Sequence, residues 1–98
     1  MDVVFGDNNL DLLETDPNFT YNLAQGVVKS YRKRMQLIRA SPDERDFYKL
    51  KSLRFEKLEG KRKQQHSMWL NDQFRLVIEF IERPQDKVVK IIGIEDYH

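Results

Sequence analysis

Residues 64–81, which read QQHSMWLNDQFRLVIEFI, decide the fold of this chain. In the second half of this stretch apolar residues alternate with other side chains, a period of two that is typical of a strand with one face on a core. These apolar residues are Phe74, Leu76, Ile78 and Phe80. Asn71 and Asp72 interrupt the pattern, and both residue types tolerate the positive φ of a tight turn. The stretch therefore predicts a β-hairpin with strands over residues 64–70 and 73–81, and it places Arg75 on the face opposite the core.

Shorter patterns on either side extend this hairpin into a sheet. Residues 87–94 alternate again after a loop that contains Pro84. Residues 52–59 also alternate until Gly60, which marks a turn or bulge. At the start of the chain, residues 3–5 read VVF and favour a short strand.

Two helices are predicted between the first strand and the others. From Tyr21 onward apolar residues recur at helical spacing, which indicates one amphipathic helix of roughly five turns whose apolar stripe covers the sheet. The sequence Ser41-Pro42-Asp43-Glu44 matches a capping box and predicts the start of a second, short helix. The order of elements implies an α+β fold, with an antiparallel sheet of about four to five strands and two to three helices on one face.

Composition limits the kind of protein that this chain can form. With 98 residues, 40% of them hydrophobic, we expect a single domain over residues 1–98 with one core. Cysteine is absent, which excludes disulfides and thiolate metal sites. No apolar run approaches the ~20 residues of a membrane helix, and the acidic N-terminus does not resemble a signal peptide. We therefore expect a cytoplasmic protein that does not bind membranes.

Charge is distributed unevenly along the chain. Residues 1–28 carry five acids and no bases, residues 29–63 carry five acids and thirteen bases, and residues 64–98 carry six acids and four bases. The central segment therefore has a net charge of +8, and it could attract a polyanion or serve only as a solvated basic face. The candidate contacts to such a polyanion are Lys49, Lys51, Arg54, Lys57, Lys61, Arg62 and Lys63, to which we add Gln73 of the hairpin.

Individual side chains leave the function open. Arg75 can pair with Glu95 or Asp96 on a neighbouring strand, or it can clamp a phosphate. Tyr97 and His98 can supply a proton donor and a proton acceptor beside that arginine, although terminal residues are commonly frayed. Trp69 and Phe74 suit a core or a partner surface better than base stacking. No metal-ligand spacing, glycine-rich phosphate loop or nucleophile elbow is found.

Four stretches together resemble a known family. They are LRFEKLEGKR at residues 53–62, QHS at residues 65–67, NDQFRL at residues 71–76 and EDYH at residues 95–98. In this order and at these separations they resemble the HigB toxins of the RelE superfamily, the plasmid-maintenance or host-inhibition killer proteins. The resemblance covers about the last half of the chain and implies a RelE-like fold.

The resemblance implies a ribosome-dependent endoribonuclease that cuts messenger RNA during translation and needs no metal or other cofactor. It also implies silencing by a HigA-type helix-turn-helix antitoxin, through which alone the pair would bind operator DNA. By matched position, His98 and Tyr97 would orient RNA and transfer protons, and Asp96 would position them. Arg75 would neutralise charge on the reacting phosphate, and Arg62 would assist it or bind the RNA backbone.

The chain departs from this family pattern before the glycine turn. Several members carry a catalytic histidine and lysine where this chain has Glu56 and Glu59, and the role of His66 is equally open. An acid can act as a general base but cannot replace the charge of lysine. Three functions remain: a ribosome-dependent RNase, a ParE-like toxin directed at DNA gyrase, and a weakened relative that only binds RNA or its antitoxin.

Overall fold

The computed structural model describes residues 1–62 and 64–96. Five strands and three helices lie in this part of the chain, which confirms the α+β class. The strands are β1 (Asp2–Phe5), β2 (Glu56–Lys57), β3 (Gln65–Trp69), β4 (Phe74–Glu82) and β5 (Lys87–Asp96). The helices are α1 (Asn8–Thr15), α2 (Gln25–Ala40) and α3 (Arg45–Lys49), and single 3₁₀ turns occur at Lys51–Leu53 and Gly60–Arg62.

The strands form one mixed sheet in the order β1-β5-β4-β3-β2. The pairs from β5 to β2 are antiparallel as predicted, but β1 runs parallel to β5, with Val3 opposite Val89. The expectation of a purely antiparallel sheet was therefore wrong at this edge. The helices separate β1 from the other strands, so no tight turn fixes its direction.

The core fills the space between the helices and one face of the sheet. The apolar stripe of α2 is buried there as predicted, together with residues of α1, α3 and the sheet. Tyr31 of α2 is fully buried and donates its hydroxyl to the carbonyl oxygen of Leu10 over 2.7 Å. Val77 and Val88 are also buried, but they do not belong to this cluster because they lie on the other face of the sheet.

Helix α2 begins four residues later than the pattern predicted. Tyr21 and Asn22 have φ of 55° and 58°, a left-handed conformation that cannot continue into a right-handed helix. The guanidinium of Arg32 holds the preceding loop, because it donates to the carbonyl oxygens of Leu13, Asp16 and Phe19. These backbone contacts join residues distant in sequence, and no local pattern reveals them.

The capping box at Ser41 does not form. The Ser41 hydroxyl donates back to Leu37 of α2, and the carboxylate of Asp43 accepts from the Arg45 amide where α3 begins. The strand predicted from Ser52 was also too long, because residues 51–53 form a 3₁₀ turn that ends with Arg54 at φ 45°.

The central hairpin is present, with a longer connection than predicted. Residues 70–73 join β3 to β4, and the Asn71 side chain accepts from the amides of Gln73 and Phe74. Neither Asn71 nor Asp72 has a positive φ. Across from β4, Ile92 is an extra residue in β5, since Val77 pairs with Gly93 and Ile78 with Ile91.

Candidate active site

The face of the sheet opposite the helices carries rows of side chains, and three of these rows form the site. Directly paired residues of an antiparallel sheet share a face, so the strand register defines the rows. The first row consists of Trp69, Arg75 and Glu95; the second of Glu56, Ser67, Val77 and Gly93; the third of Gln65, Glu79 and Lys90.

Two arginines converge on one carboxylate in the first row. Both terminal nitrogens of Arg62 donate hydrogen bonds to the Glu95 carboxylate, at 2.9 Å and 2.5 Å. Arg75 Nη2 lies 3.5 Å from Glu95 Oε1. The predicted alternative in which Arg75 pairs with Glu95 is therefore found. Arg75 and Arg62, which are 13 positions apart, now lie beside the same anion. The sheet face thus presents two guanidinium groups at one point.

The turn before β3 delivers Arg62 to this point. Gly60 has φ of +69°, which favours glycine, and it starts the 3₁₀ turn that ends at Arg62. Arg62 Nε donates to Gln65 in the third row, while its terminal nitrogens reach Glu95 in the first. The guanidinium therefore spans the middle row.

The middle row forms the floor of the site. Ser67 and Val77 are 1% and 0% exposed although no helix covers this face. Beside them, apart from the chain neighbours of Gly93, no atom of residues 1–62 and 64–96 lies within 4 Å of the place where Gly93 would carry a side chain. The site therefore combines a buried floor of one serine and one valine with room beside Gly93.

Electrostatics keep this cluster charged at neutral pH. The hydrogen bonds from Arg62, and after them the positive charges of Arg62 and Arg75, lower the pKa of Glu95 below its ordinary value of 4.5. The same hydrogen bonds raise the pKa of Arg62. A carboxylate with two guanidinium groups carries a net charge of +1, which suits the binding of a phosphodiester.

Side chains next to the arginines extend the site toward β2. The Arg54 guanidinium lies 4.1 Å from the centre of the Trp69 ring, which is the distance of a cation-π contact. Arg34 donates to the Trp69 carbonyl oxygen and so ties α2 to this end of β3. Glu56 is exposed and begins the middle row, on the same face as Arg75.

Other predicted site residues lie elsewhere. His66 and Lys57 pair with each other on the face that bears the helices, so they do not join the arginines. Asp96 follows Glu95 and points to the opposite face by strand alternation, where it accepts from the Gln73 side chain over 3.0 Å. By strand alternation, Lys57, His66 and Asp96 therefore lie on the face opposite the two arginines.

His66 belongs to an aromatic cluster. Its ring is stacked with that of Phe55 and T-shaped to that of Phe80, and the ring centres are 5.1 Å apart in both pairs. Its Nδ1 is buried and has no hydrogen-bond partner in the part of the chain that the structure describes. Burial lowers the pKa of His66, and the charges of Lys57 and Lys87 lower it further against the opposing effect of Glu44. These features indicate a neutral, structural histidine.

The remaining predicted site residues are either exposed or outside the part of the chain that the structure describes. Lys49, Lys51, Glu59 and Lys61 are exposed on α3 and the turns that follow it. Lys63, Tyr97 and His98 lie outside the described residues. Sequence reasoning did not include Glu95 among the site residues, although the alternation of β5 and its expected pairing with Arg75 contained the signal.

Two kinds of feature are absent from the described residues. In residues 1–62 and 64–96, histidine, aspartate and glutamate side chains form no group of three or more that could hold a metal ion. No helix in these ranges is both long and apolar enough to cross a membrane.

Solved structures define the class of fold. The chain is similar to a YoeB/ParE toxin from Agrobacterium tumefaciens, with a TM-score of 0.61, 16% identity and full coverage of both chains. It is similar to a chain of the YoeB-YefM complex from Staphylococcus aureus, with a TM-score of 0.62 and 18% identity over 100% of this chain and 97% of that one. The chain therefore shares the fold of these toxin structures.

A family model identifies the group within this class. Residues 5–98 match the model for the RelE-like toxin of the type II toxin-antitoxin system HigB, so the chain belongs to the HigB-like toxin family. This match confirms the resemblance and extends it to the first half of the chain. No curated protein matches the sequence significantly. As a type II toxin, the protein has an antitoxin as its partner.

Proposed function

We propose that this toxin is a ribosome-dependent endoribonuclease that cuts messenger RNA during translation and thereby inhibits growth. Toxins of the RelE-like family act in general as endoribonucleases. The observation that carries the proposal is the convergence of Arg62 and Arg75 on one anion, on an open face of the sheet. Two guanidinium groups fixed in this way can bind a phosphodiester and stabilise the charge that it gains during cleavage.

The reaction that suits these groups is an attack by the 2′-hydroxyl of RNA on the adjacent phosphate. The 2′-hydroxyl gives its proton to a general base, the 2′-oxygen forms a bond to phosphorus, and the 5′-oxygen leaves with a proton from a general acid. The products are a 2′,3′-cyclic phosphate and a 5′-hydroxyl. Arg75 neutralises the charge on the five-coordinate phosphate, and Arg62 assists it or holds the backbone.

Glu56 is our candidate for the general base. It shares the open face with Arg75 and begins the row next to the arginines, whereas Lys57 lies on the other face. A carboxylate there can accept the proton of the 2′-hydroxyl, which gives a function to the departure from the family pattern. Glu59 lies beyond the strand and is exposed, so we assign it no step.

We assign proton transfer to the leaving oxygen to His98, with Tyr97 orienting the RNA and Asp96 positioning this terminal pair. The support for these roles is the family resemblance at residues 95–98. Glu95, which immediately precedes these residues, lies in the site. Exposed lysines at positions 49, 51 and 61, together with Arg54, Lys57, Lys63 and Gln73, would contact ribosomal or messenger RNA.

We propose a HigA-type helix-turn-helix protein as the antitoxin, and operator binding only through the complex. The support is membership of the HigB-like family, and a solved relative is described as a YoeB-YefM complex. Because the proposed target is the translating ribosome, the protein would act in the cytoplasm.

A reconstituted translation reaction tests this function. Intact protein should cleave messenger RNA on ribosomes and leave the same RNA intact in their absence, and His98→Ala should abolish cleavage while antitoxin binding persists. A folded protein that spares messenger RNA but inhibits purified DNA gyrase would favour the ParE-like alternative. Loss of both activities with normal antitoxin binding would favour a binding-only relative.

A further inference from the structure

Glu95 occupies the position at which the two arginines would receive a substrate anion. Its two carboxylate oxygens accept from both terminal nitrogens of Arg62, and one of them is also within 3.5 Å of Arg75. A carboxylate and the two non-bridging oxygens of a phosphodiester present the same forked set of acceptors to a guanidinium. In the free protein, Glu95 therefore satisfies the groups that RNA would need.

The exposure of the cluster allows an exchange of partners. The side chains of Arg62 and Glu95 are 39% and 34% exposed, whereas that of Arg75 is 20% exposed. Arg62 also comes from a short turn, and Arg75 from the middle of the sheet. Arg62 is thus the partner that can leave Glu95 more readily, and Arg75 is the more fixed one.

We propose that Glu95 is an internal counter-anion that competes with RNA for Arg62. This inference rests on the proposed function, since it takes an RNA phosphodiester as the incoming ligand. Without RNA, Glu95 holds both guanidinium groups in place and lowers the attraction of the site for other anions. When RNA binds, the phosphate takes over Arg62, and Glu95 keeps its contact with Arg75. Glu95 is thus a positioning residue that sets the affinity of the site.

The competition makes a prediction opposite in sign to that of a purely structural role. If Glu95 only braced the arginines, a neutral replacement would weaken RNA binding. If Glu95 competes, the same replacement strengthens binding, because the phosphate no longer displaces a charged group. Glu95→Gln removes the net contribution of one partly exposed ion pair, so we expect a gain of roughly two- to fivefold in affinity.

The experiment compares Glu95→Gln with Glu79→Gln. Glu79 lies on the same face of the sheet and in the third row, and it accepts from Gln65 rather than from either arginine. Its replacement changes the net charge equally, so it controls for general attraction of RNA. The probe is a short fluorescent RNA with 2′-O-methyl groups, which binds as a phosphodiester but cannot be cleaved by its own 2′-oxygen. Affinity is measured by fluorescence anisotropy without ribosomes, and circular dichroism checks each fold.

The competing role predicts a larger gain in affinity for Glu95→Gln than for Glu79→Gln. Equal affinity of wild type and Glu95→Gln, including no binding by either, would overturn the proposal, as would an equal gain in both variants. Glu95→Asp, which keeps the charge but withdraws it by one methylene, provides a second test and should bind RNA more tightly than wild type. A positive result without any cleavage of messenger RNA on ribosomes would leave the counter-anion role intact and refute the proposed reaction.

Discussion

Replacement of Arg75 should separate catalysis from stability. Removal of one group that stabilises charge in a transition state costs roughly 100- to 1,000-fold in rate, equivalent to about 3–4 kcal/mol. The same substitution removes a contact of 3.5 Å to Glu95, which is 34% exposed and keeps Arg62 as a partner. Such a pair contributes up to about 1 kcal/mol to folding, or a fall of about 4–8 °C in Tm for a domain of this size. Arg75→Ala should therefore cleave messenger RNA about 100-fold more slowly or worse, yet remain folded at 25 °C.

Single-turnover cleavage on ribosomes programmed with messenger RNA measures this rate. Arg75→Lys should fall between wild type and Arg75→Ala, since lysine keeps the charge but not the fork of donors. Arg83→Ala is the matched control, because Arg83 is also an arginine held in ion pairs, with Asp2 and Asp86, but lies in the loop after β4. A rate for Arg75→Ala within threefold of the control would refute the reasoning.

Three further substitutions test other parts of the structure. Burial lowers the pKa of His66 below its ordinary 6.5, so the unfolded chain binds the proton more readily and the protein loses stability as pH falls below about 6.5. His66→Phe keeps an aromatic ring but removes the titrating group. Its free energy of unfolding in urea should therefore fall less than that of wild type between pH 7 and about pH 5.5, and an unchanged pH dependence would contradict the assignment. Tyr31→Phe should cost about 1–2 kcal/mol in urea unfolding, because the buried hydrogen bond from the Tyr31 hydroxyl to the Leu10 carbonyl is lost, and a neutral effect would refute that. Glu56→Gln should slow cleavage by roughly 100-fold or more without weakening antitoxin binding, and a wild-type rate would remove Glu56 as the base.

Local sequence patterns predicted the elements that have a single amphipathic period. The alternation from Phe74 to Phe80 identified β4 and placed Arg75 away from the core, and the helical spacing of Val27 to Ile38 identified the buried stripe of α2. In these segments burial alone selects the structure, so the periodicity is sufficient.

Long-range contacts determined the features that sequence patterns missed. The left-handed Tyr21 and Asn22 delay the start of α2, and they follow a loop that Arg32 holds through the carbonyl oxygens of Leu13, Asp16 and Phe19. The parallel pairing of β1 depends on the last strand, more than 80 residues away. Local reasoning cannot contain these contacts.

In the candidate site, too, local sequence patterns predict some contacts and only the folded chain shows the others. Pairing of Arg75 with Glu95 follows from the alternation of two adjacent strands, and it was among the predicted alternatives. The reach of Arg62 to Glu95 spans 33 residues and depends on the turn at Gly60, so only the folded chain reveals it. His66, whose sequence position left its role open, proves to share a face with the core rather than with the arginines.

The double variant Arg62→Ala/Arg75→Ala tests the central claim most directly. Its cleavage of messenger RNA on ribosomes should be undetectable, while the variant remains folded and still binds its antitoxin. Product analysis of the wild-type reaction should find a 2′,3′-cyclic phosphate at the 3′ end of the upstream RNA fragment. Cleavage by the double variant at the wild-type rate would show that the paired arginines are not the catalytic site.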